Sequence, residues 1–198
     1  MPPPDYRGPR GKLATRRASL ASRDAMTAAE RAAASAAICD AANALLAVRL
    51  SPGQVVTLYA AKGSEVDTTR IDAFARASGL TVAYPRVDGR ARVLAFHAVP
   101  PEALAPSGFG LREPSADAPA VALGDIAAFV VPGLAFDRAG GRLGWGRGHY
   151  DATFAAAGPA ALRIGLAFER QVVDEVTREP HDAALHVLIT EVATHVVA

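Results

Sequence analysis

Short apolar runs and helically spaced apolar positions alternate along the chain, and this alternation predicts strands separated by helices. Apolar runs bounded by turn residues predict strands over residues 54–60, 80–84, 126–131, 162–168 and the later part of 183–191. Helical spacing predicts helices from about residue 9 to 23, 27 to 48, 68 to 78 and 150 to 157. Strands that alternate with helices favour a single α/β domain, in which helices cover a mainly parallel sheet.

Capping and turn residues sharpen the bounds of these elements. Thr27 followed by Glu30 is a capping-box pattern and predicts the start of the second helix, which Ser51-Pro52-Gly53 ends. Pro85 with Arg86 predicts the end of the strand over 80–84. Asp88-Gly89 is a strong tight-turn signal and predicts a β-hairpin arm over 87–99.

Composition and charge narrow the class of protein. A chain of 198 residues with 51% hydrophobic and 21% charged residues is typical of one soluble globular domain, which we expect over 9–198. Prolines and a glycine dominate residues 1–8, which we expect to be a disordered lead-in. The net charge of +1 gives no global attraction to nucleic acid or membranes.

The cysteine content and the apolar runs bear on the compartment. The single cysteine, Cys39, excludes an intramolecular disulfide and favours a buried structural thiol in a reducing compartment. The N-terminus lacks an apolar signal core, and no apolar run reaches membrane-spanning length. We therefore expect a cytoplasmic protein.

The candidate chemistry is concentrated in a glycine-rich stretch after the strand over 126–131. Five glycines between 140 and 148 are interleaved with Arg138, Arg142 and Arg147, and a helix follows. Glycine amides can approach a ligand closely, and a helix N-terminus with arginine forks binds phosphate oxygens. The spacing matches neither the Walker pattern nor the dinucleotide fingerprint, and a surface turn with solvated arginines is the alternative. Asp151 closes the stretch and could hold the Mg²⁺ that accompanies a nucleotide.

Two further stretches carry candidate residues. Lys12 and Arg16 lie four residues apart and project from one face of the first helix, either towards an anion or into solvent. Glu65 follows a strand, at the edge of the sheet where α/β proteins bind ligands. Its carboxylate could accept hydrogen bonds from an amino-pyrimidine, or could simply face a helix dipole.

The glycine-rich stretch resembles a known family. Pro-Gly-Leu-Ala-Phe-Asp over 132–137, then Gly-x-Arg-Leu-Gly-x-Gly-x-Gly-x-Tyr-Asp over 140–151, is similar to the signature of the 5-formyltetrahydrofolate cyclo-ligase, or methenyltetrahydrofolate synthetase, family. The resemblance extends from Lys12 to Glu191 and includes Glu65 with Thr68, Pro85 with Arg86, and Asp182. The chain departs from the family at position 149, which is His where Tyr or Phe is usual, and at 145, which is Trp where the family varies.

The resemblance implies a three-layer α/β/α fold with a small β-hairpin extension, and it implies a set of site residues. ATP would be bound by Lys12, Arg16, Arg142, Leu143, Gly144, Trp145, Gly146, Arg147, Gly148, His149 and Tyr150, with Arg142 and Arg147 catalytic. The folate would be bound by Ala60, Glu65, Phe109 and the segment from Trp145 to His149. Asp151 and Asp182 would bind Mg²⁺, and Arg86 would be a lower-ranked candidate for contact with the phosphates.

The resemblance also implies an activity, namely the ATP- and Mg²⁺-dependent cyclisation of 5-formyltetrahydrofolate to 5,10-methenyltetrahydrofolate, with release of ADP and phosphate. Such a ligase of one-carbon metabolism would act through a phosphorylated formyl group, and we expect a monomer that binds neither nucleic acid nor membrane. One alternative is a family member that binds folate or nucleotide without turnover. Another is a different ATP-using α/β enzyme with a similar anion loop. An RNA-binding protein is disfavoured, since a single basic stripe lacks companion aromatic residues.

Overall fold

The computed structural model of the protein describes residues 9–89, 91–179 and 182–197, without the side chains of Pro9, Arg10 and Phe109. Its helices are α1 (Pro9–Asp24), α2 (Ala28–Arg49), α3 (Thr69–Ala77) and α4 (His149–Ala157). Its strands are β1 (Val55–Thr57), β2 (Thr81–Arg86), β3 (Ala95–Ala98), β4 (Ala105–Pro106), β5 (Arg112–Glu113), β6 (Ala120–Val121), β7 (Ile126–Val131), β8 (Ala135–Phe136), β9 (Arg142–Leu143), β10 (Leu162–Leu166), β11 (Val187–Ile189) and β12 (Thr194–Val196). The expected lead-in over 1–8 lies outside the described residues, and the division into lead-in and domain stays a prediction.

An eight-stranded sheet in the order β12-β11-β10-β7-β1-β2-β3-β6 forms the centre of the fold. The five middle strands, from β11 to β2, run parallel, whereas β12, β3 and β6 pair antiparallel at the two sides. Two small antiparallel pairs, β4-β5 and β8-β9, lie outside this sheet. The prediction of an α/β fold with a mainly parallel sheet and a hairpin extension is confirmed.

Helices cover both faces of the sheet and form three layers. Because side chains alternate between the faces of a strand, Ala128 and Val130 of β7 join one core cluster, while Phe129 and Val131 join the other. Residues of α2 and α3 complete the first cluster, whereas Phe154 of α4 belongs to the second. This division places α2 and α3 on one face and α4 on the opposite face.

Helix α2 shows how the sequence fixes an element. The Thr27 side chain accepts from the backbone N–H of Glu30, whose carboxylate accepts from the Thr27 N–H at 2.7 Å, so the capping box is present. Cys39 is fully buried in this helix, and burial raises the pKa of its thiol to about 11. A protonated, buried thiol is a packing residue, as the sequence indicates.

Among the described residues, α2 is also the one helix that is long and apolar enough to cross a membrane by length and composition alone. This differs from the expectation that no apolar run reaches that length, because its many alanines raise the hydropathy of a helix that also contains charged residues. Ile38, Ala42 and Leu46 of α2 are fully buried in the core cluster beneath the sheet. The apolar stripe of α2 therefore belongs to the interior of the fold.

The hairpin differs from its sequence prediction. Strand β2 continues through Pro85 and Arg86 and pairs directly with β3, so that Arg86 lies opposite Ala95 and residues 87–94 form the connection. The tight-turn signal at Asp88-Gly89 therefore falls inside a longer loop. Proline lacks only the N–H donor, and a strand tolerates it where the ladder does not need that donor.

Candidate functional site

A cleft of about 760 Å³ lies beside the carboxyl ends of β1, β2 and β7. Residues that follow these strands line it, including Ala60 after β1, Val87 after β2, and Pro132 with Gly133 after β7. Ligands of open α/β sheets bind at this edge, because the loops that leave parallel strands meet there. The cleft is therefore the candidate site of the protein.

Nearly all of the site residues proposed from the sequence line this one cleft, namely Lys12, Arg16, Ala60, Glu65, every residue of 142–151, and Asp182. The exception is Phe109, whose side chain lies outside the described residues, although Leu111 of the same segment does line the cleft. The side chain of Arg86 donates to the carbonyl of Pro114 at 2.7 Å, while its neighbours Pro85 and Val87 face the cleft. The roles assigned to these residues stay predictions.

Asp137 anchors the glycine-rich stretch from inside. Its carboxylate is 2% exposed and accepts from the backbone N–H groups of Ala139, Gly141 and Val176 at 2.9, 2.7 and 2.8 Å. A Cβ at position 141 would overlap this carboxylate, so only glycine fits there. Asp137 stands in the family-like string but carries no sequence signal for this role, which depends on how the loop closes on itself.

The hairpin β8-β9 brings Arg142 into the cleft wall. The Arg142 side chain is only 5% exposed; its Nη1 lies 3.4 Å from the Pro132 carbonyl and its Nη2 lies 3.4 Å from Oδ1 of Asp151. The guanidinium also stacks 5.1 Å from the centre of the Tyr150 ring. Among the described groups, its Nε is buried without a hydrogen-bond partner. A buried cation with a donor to spare suits an anionic ligand.

Helix α1 contributes two cations to the same cleft. Nζ of Lys12 lies 2.9 Å from Oε1 of Glu179 and 3.5 Å from Oδ2 of Asp182. One turn later, Nε of Arg16 donates to the carbonyl of Gly144 at 2.8 Å and fixes α1 to the glycine-rich stretch. Gly146 has a positive φ of 91°, and a Cβ there would come within 3.0 Å of the Arg16 guanidinium.

Glu65 follows β1 and lines the same cleft in a desolvated setting. Burial raises the pKa of its carboxyl, and the Lys62 backbone N–H, the charges of Arg23 and Lys62, and the Trp145 indole lower it in part. Tyr59 beneath it is 3% exposed and donates to the Val66 carbonyl at 3.0 Å. A desolvated carboxylate gains most from a ligand that supplies N–H donors.

Arg23 holds the two strand ends beside Glu65 together. Its side chain is 2% exposed, and it donates to Ser64 Oγ at 2.9 Å and to the Gly133 carbonyl at 3.4 Å. Ser64 in turn donates to Asp24. Arg23 therefore links α1 to the segments that follow β1 and β7.

Helix α4 begins at the floor of the cleft. Gly148 caps it with a φ of 69°, so no side chain covers the first N–H groups of the helix. Nδ1 of His149 lies 2.9 Å from the Arg92 carbonyl, which ties α4 to the connection between β2 and β3. The histidine thus has a structural contact of its own at the position where it departs from the family pattern.

Asp151 and Asp182, the residues predicted to bind magnesium, both line the cleft. Their side chains are 21% and 20% exposed in the cleft wall. Within the described ranges, no group of three or more His, Cys, Asp or Glu residues could hold a metal on its own. Mg²⁺ commonly takes one or two carboxylates, with the remaining positions filled by water and substrate phosphates, so a pair of carboxylates fits it.

The fold and the cleft define an open α/β protein whose ligand site lies at the carboxyl edge of its sheet and contains several basic side chains. The sequence model of the 5-formyltetrahydrofolate cyclo-ligase family matches residues 10–191. The chain therefore belongs to the 5-formyltetrahydrofolate cyclo-ligase family, as the sequence resemblance predicted.

Individual relatives agree with this assignment. The chain is 43% identical over 90 residues to the 5-formyltetrahydrofolate cyclo-ligase of Mycolicibacterium smegmatis, an alignment that covers 44% of this chain and 46% of that protein. It is 38% identical over 65 residues to the cyclo-ligase of Mycoplasma genitalium, which covers 33% of this chain and 39% of that protein. Each alignment thus spans less than half of the relative it matches.

Solved structures extend the likeness to nearly the whole chain. The 5,10-methenyltetrahydrofolate synthetase of Aquifex aeolicus superposes with a TM-score of 0.79 at 27% identity, over 94% of this chain and 92% of that one. The 5,10-methenyltetrahydrofolate synthetase of Mycoplasma pneumoniae gives a TM-score of 0.75 at 22% identity, over 91% of this chain and 98% of that one, and shows the same fold.

Proposed function

We propose that the protein converts 5-formyltetrahydrofolate to 5,10-methenyltetrahydrofolate at the expense of ATP. The observation that supports this most directly is the composition of one cleft. Its lining includes the cations Lys12, Arg16 and Arg142 together with the desolvated carboxyl of Glu65. Such a lining offers partners for a polyphosphate and for an amino-pterin, which a two-substrate reaction must bring together.

The chemistry explains why two ligands must meet. A formamide oxygen is a poor leaving group, so the γ-phosphoryl group of ATP is first transferred to the formyl oxygen and ADP is the leaving group. The N10 amine then attacks the formyl carbon. Phosphate departs with the former formyl oxygen, the N10 proton is released, and the methenyl bridge between N5 and N10 remains.

The cations of the cleft supply what phosphoryl transfer needs, which is position and charge neutralisation. The buried Nε of Arg142 and the start of α4 can donate to phosphate oxygens. Arg16 is held by Gly144, so it presents its remaining donors from a fixed place. Arg147 is exposed on the same loop and lines the cleft, where it can neutralise the charge of the transferred group.

Glu65 and Trp145 are assigned to the folate. The Glu65 carboxylate would accept from the N–H groups of the pterin and exchange its contact with the Trp145 indole for them. The Trp145 side chain is 55% exposed at the mouth of the cleft, so its ring is available to cover a bound aromatic ligand. Phe109 stays a prediction for the same part of the ligand.

Asp151 and Asp182 would hold Mg²⁺ together with the phosphates of ATP. A metal bound there would neutralise phosphate charge and polarise the transferred group. Each aspartate already faces a cation of the cleft, Asp151 facing Arg142 and Asp182 facing Lys12.

An absorbance assay tests the proposal. Purified protein with Mg²⁺, ATP and 5-formyltetrahydrofolate should produce the methenyl chromophore in the near ultraviolet, and omission of either ATP or Mg²⁺ should abolish the signal. If the folded protein gives no signal under conditions in which a control enzyme is active, the proposal is wrong. If it still binds both ligands, it is a binding member of the family without turnover; if it binds ATP and ignores the folate, it is a different ATP-using enzyme.

We further propose that the protein acts as a cytoplasmic monomer. The single buried cysteine supports a reducing compartment, and the net charge of +1 gives no general attraction to nucleic acid or membranes. Size-exclusion chromatography with light scattering measures the mass directly. A mass of twice 20.5 kDa or more would contradict it.

A further inference from the structure

A chain of aromatic rings leads from the core to the guanidinium of Arg142. Phe96 meets Phe129 with ring centres 5.6 Å apart, and Phe129 meets Phe154 of α4 at 5.4 Å, both edge to face. Phe154 lies 5.9 Å from Tyr150, one turn earlier on α4. The Tyr150 ring centre lies 5.1 Å from the guanidinium carbon of Arg142. The ring that touches this cation is therefore itself held by the core.

The polar contacts of Arg142 are few and long for a cation that is 5% exposed. Its Nη1 and Nη2 each lie 3.4 Å from an oxygen, of Pro132 and Asp151 respectively, against about 2.9 Å for an ordinary hydrogen bond. Its Nε is buried without a partner among the described groups. These contacts alone define the plane of the guanidinium poorly, and the face of the Tyr150 ring supplies a surface that can define it.

The backbone of the glycine-rich stretch approaches the same guanidinium. A Cβ at position 144 would come within 3.0 Å of Nη1 of Arg142, which is tighter than ordinary contact. Burial raises the pKa of the Tyr150 hydroxyl, although the charge of Arg142 lowers it in part, so the ring is neutral at physiological pH. Arg142 is thus bounded by a neutral ring and by the backbone of Gly144.

We propose that Tyr150 is a positioning residue, whose ring face holds the Arg142 guanidinium in place for a phosphate oxygen before the ligand arrives. A long side chain loses rotamer freedom when it binds an anion, and a preformed stack removes that loss from the free energy of binding. The ring is sufficient for this role and the hydroxyl is not required. The inference rests on the proposed nucleotide site. It gives Tyr150 a role through Arg142, whereas the family resemblance implies only that Tyr150 contacts ATP.

The test is a set of binding measurements, which do not depend on turnover. A non-hydrolysable ATP analogue with Mg²⁺ is titrated by calorimetry into wild-type protein and into variants of Tyr150. Tyr150→Leu removes the ring face and should weaken binding about five- to thirtyfold, the range of a desolvated cation–π contact. Tyr150→Phe keeps the ring and should retain the affinity to within about twofold.

A double-mutant cycle shows whether Tyr150 acts through Arg142. In Arg142→Ala there is no guanidinium to hold, so the further change Tyr150→Leu should weaken binding by less than about twofold more. Tyr150→Met fills the space of the ring without a ring face, and it repeats the test if the leucine variant does not fold.

Phe74→Leu is the control for a general loss of stability. Phe74 belongs to α3 and packs on the opposite face of the sheet from Tyr150. Its replacement should lower the melting temperature and leave the affinity for the analogue unchanged.

The possible failures are distinguishable. If Tyr150→Phe weakens binding as much as Tyr150→Leu does, the hydroxyl contacts the ligand and the inference is wrong. Additive losses from the changes at 142 and 150, or unchanged binding in Tyr150→Leu, also overturn it. Each of these results leaves the proposed function standing. If the wild-type protein does not bind the analogue with Mg²⁺, the proposed function is refuted and the inference is refuted with it.

Discussion

Replacement of Asp137 by asparagine tests whether the cleft depends on the buried anchor of the glycine-rich stretch. Asparagine has the same shape, so Oδ1 can still accept from the N–H groups of Ala139 and Gly141. At the Oδ2 position, however, an amide NH₂ would face the N–H of Val176, which now donates at 2.8 Å. Two donors cannot pair, and the Val176 N–H loses its partner in a buried setting.

The magnitude follows from these contacts. Loss of one hydrogen bond to a charged acceptor, with one buried donor left unpaired and two bonds weakened, should cost about 2–4 kcal/mol. For a protein of this size that corresponds to a fall of about 5–15 °C in the melting temperature. Asp174→Asn, two residues before Val176 and exposed, should change the melting temperature by less than about 2 °C and is the matched control.

Calorimetry and steady-state kinetics at a temperature well below both melting points complete the test. Because the anchored stretch carries Arg142 and Arg147, kcat/KM should fall together with stability. If Asp137→Asn melts like the Asp174 control, the Asp137 carboxylate does not stabilise the glycine-rich stretch. If the melting temperature falls while kcat/KM is unchanged, Asp137 stabilises the fold without positioning the residues of the cleft.

Four other substitutions separate stability from activity. Arg147→Ala should weaken ATP use with less than about 2 °C of change in melting temperature, since the residue is exposed. Arg142→Ala should reduce both ATP use and the melting temperature, because its buried guanidinium stacks on Tyr150. Equal losses of melting temperature in the two variants would contradict this difference. Glu65→Gln should weaken folate binding and raise the melting temperature at neutral pH. Burial raises the pKa of Glu65 in the folded state, so the contribution of this carboxyl to stability is lost as pH rises through that pKa. The gain in melting temperature on substitution should therefore vanish towards about pH 4, where the carboxyl is protonated in both states. A gain in melting temperature that does not change with pH would show that the buried charge of Glu65 is not its cause. Thr27→Ala removes the capping box and should cost about 1 kcal/mol in the free energy of unfolding, with no change in the KM for ATP.

Features carried by local pattern could be predicted from the sequence. The capping box at Thr27 and Glu30 and the apolar run over 126–131 involve neighbours in the chain, and both appear where the pattern puts them. The glycine-rich stretch could be assigned because glycine and arginine in that spacing resemble one family. In the structure, the residues of this stretch from 142 to 151 line one cleft.

Features that depend on distant contacts could not be predicted. Nothing near Asp137 in the sequence shows that its carboxylate meets Val176, and nothing near Arg23 shows that it reaches Gly133. The hairpin was misplaced for a similar reason, because the Asp88-Gly89 signal is local whereas the pairing of β2 with β3 depends on the whole sheet. Lys12 was predicted to meet phosphate, but its pairing with Glu179 crosses 167 positions of sequence.

That long-range pairing has a consequence for how the chain acquires its fold. Helix α1 is made first during synthesis, yet Lys12 finds Glu179 only after 167 further residues, and Arg16 finds Gly144 only after 128. Contacts of such separation close large loops and form late, after local elements are in place. We therefore expect the cleft to be completed late in folding, when α1 docks onto segments that are translated much later than itself. A partly made chain would have helices and strands but no site, so that nucleotide could not be held before the fold is complete.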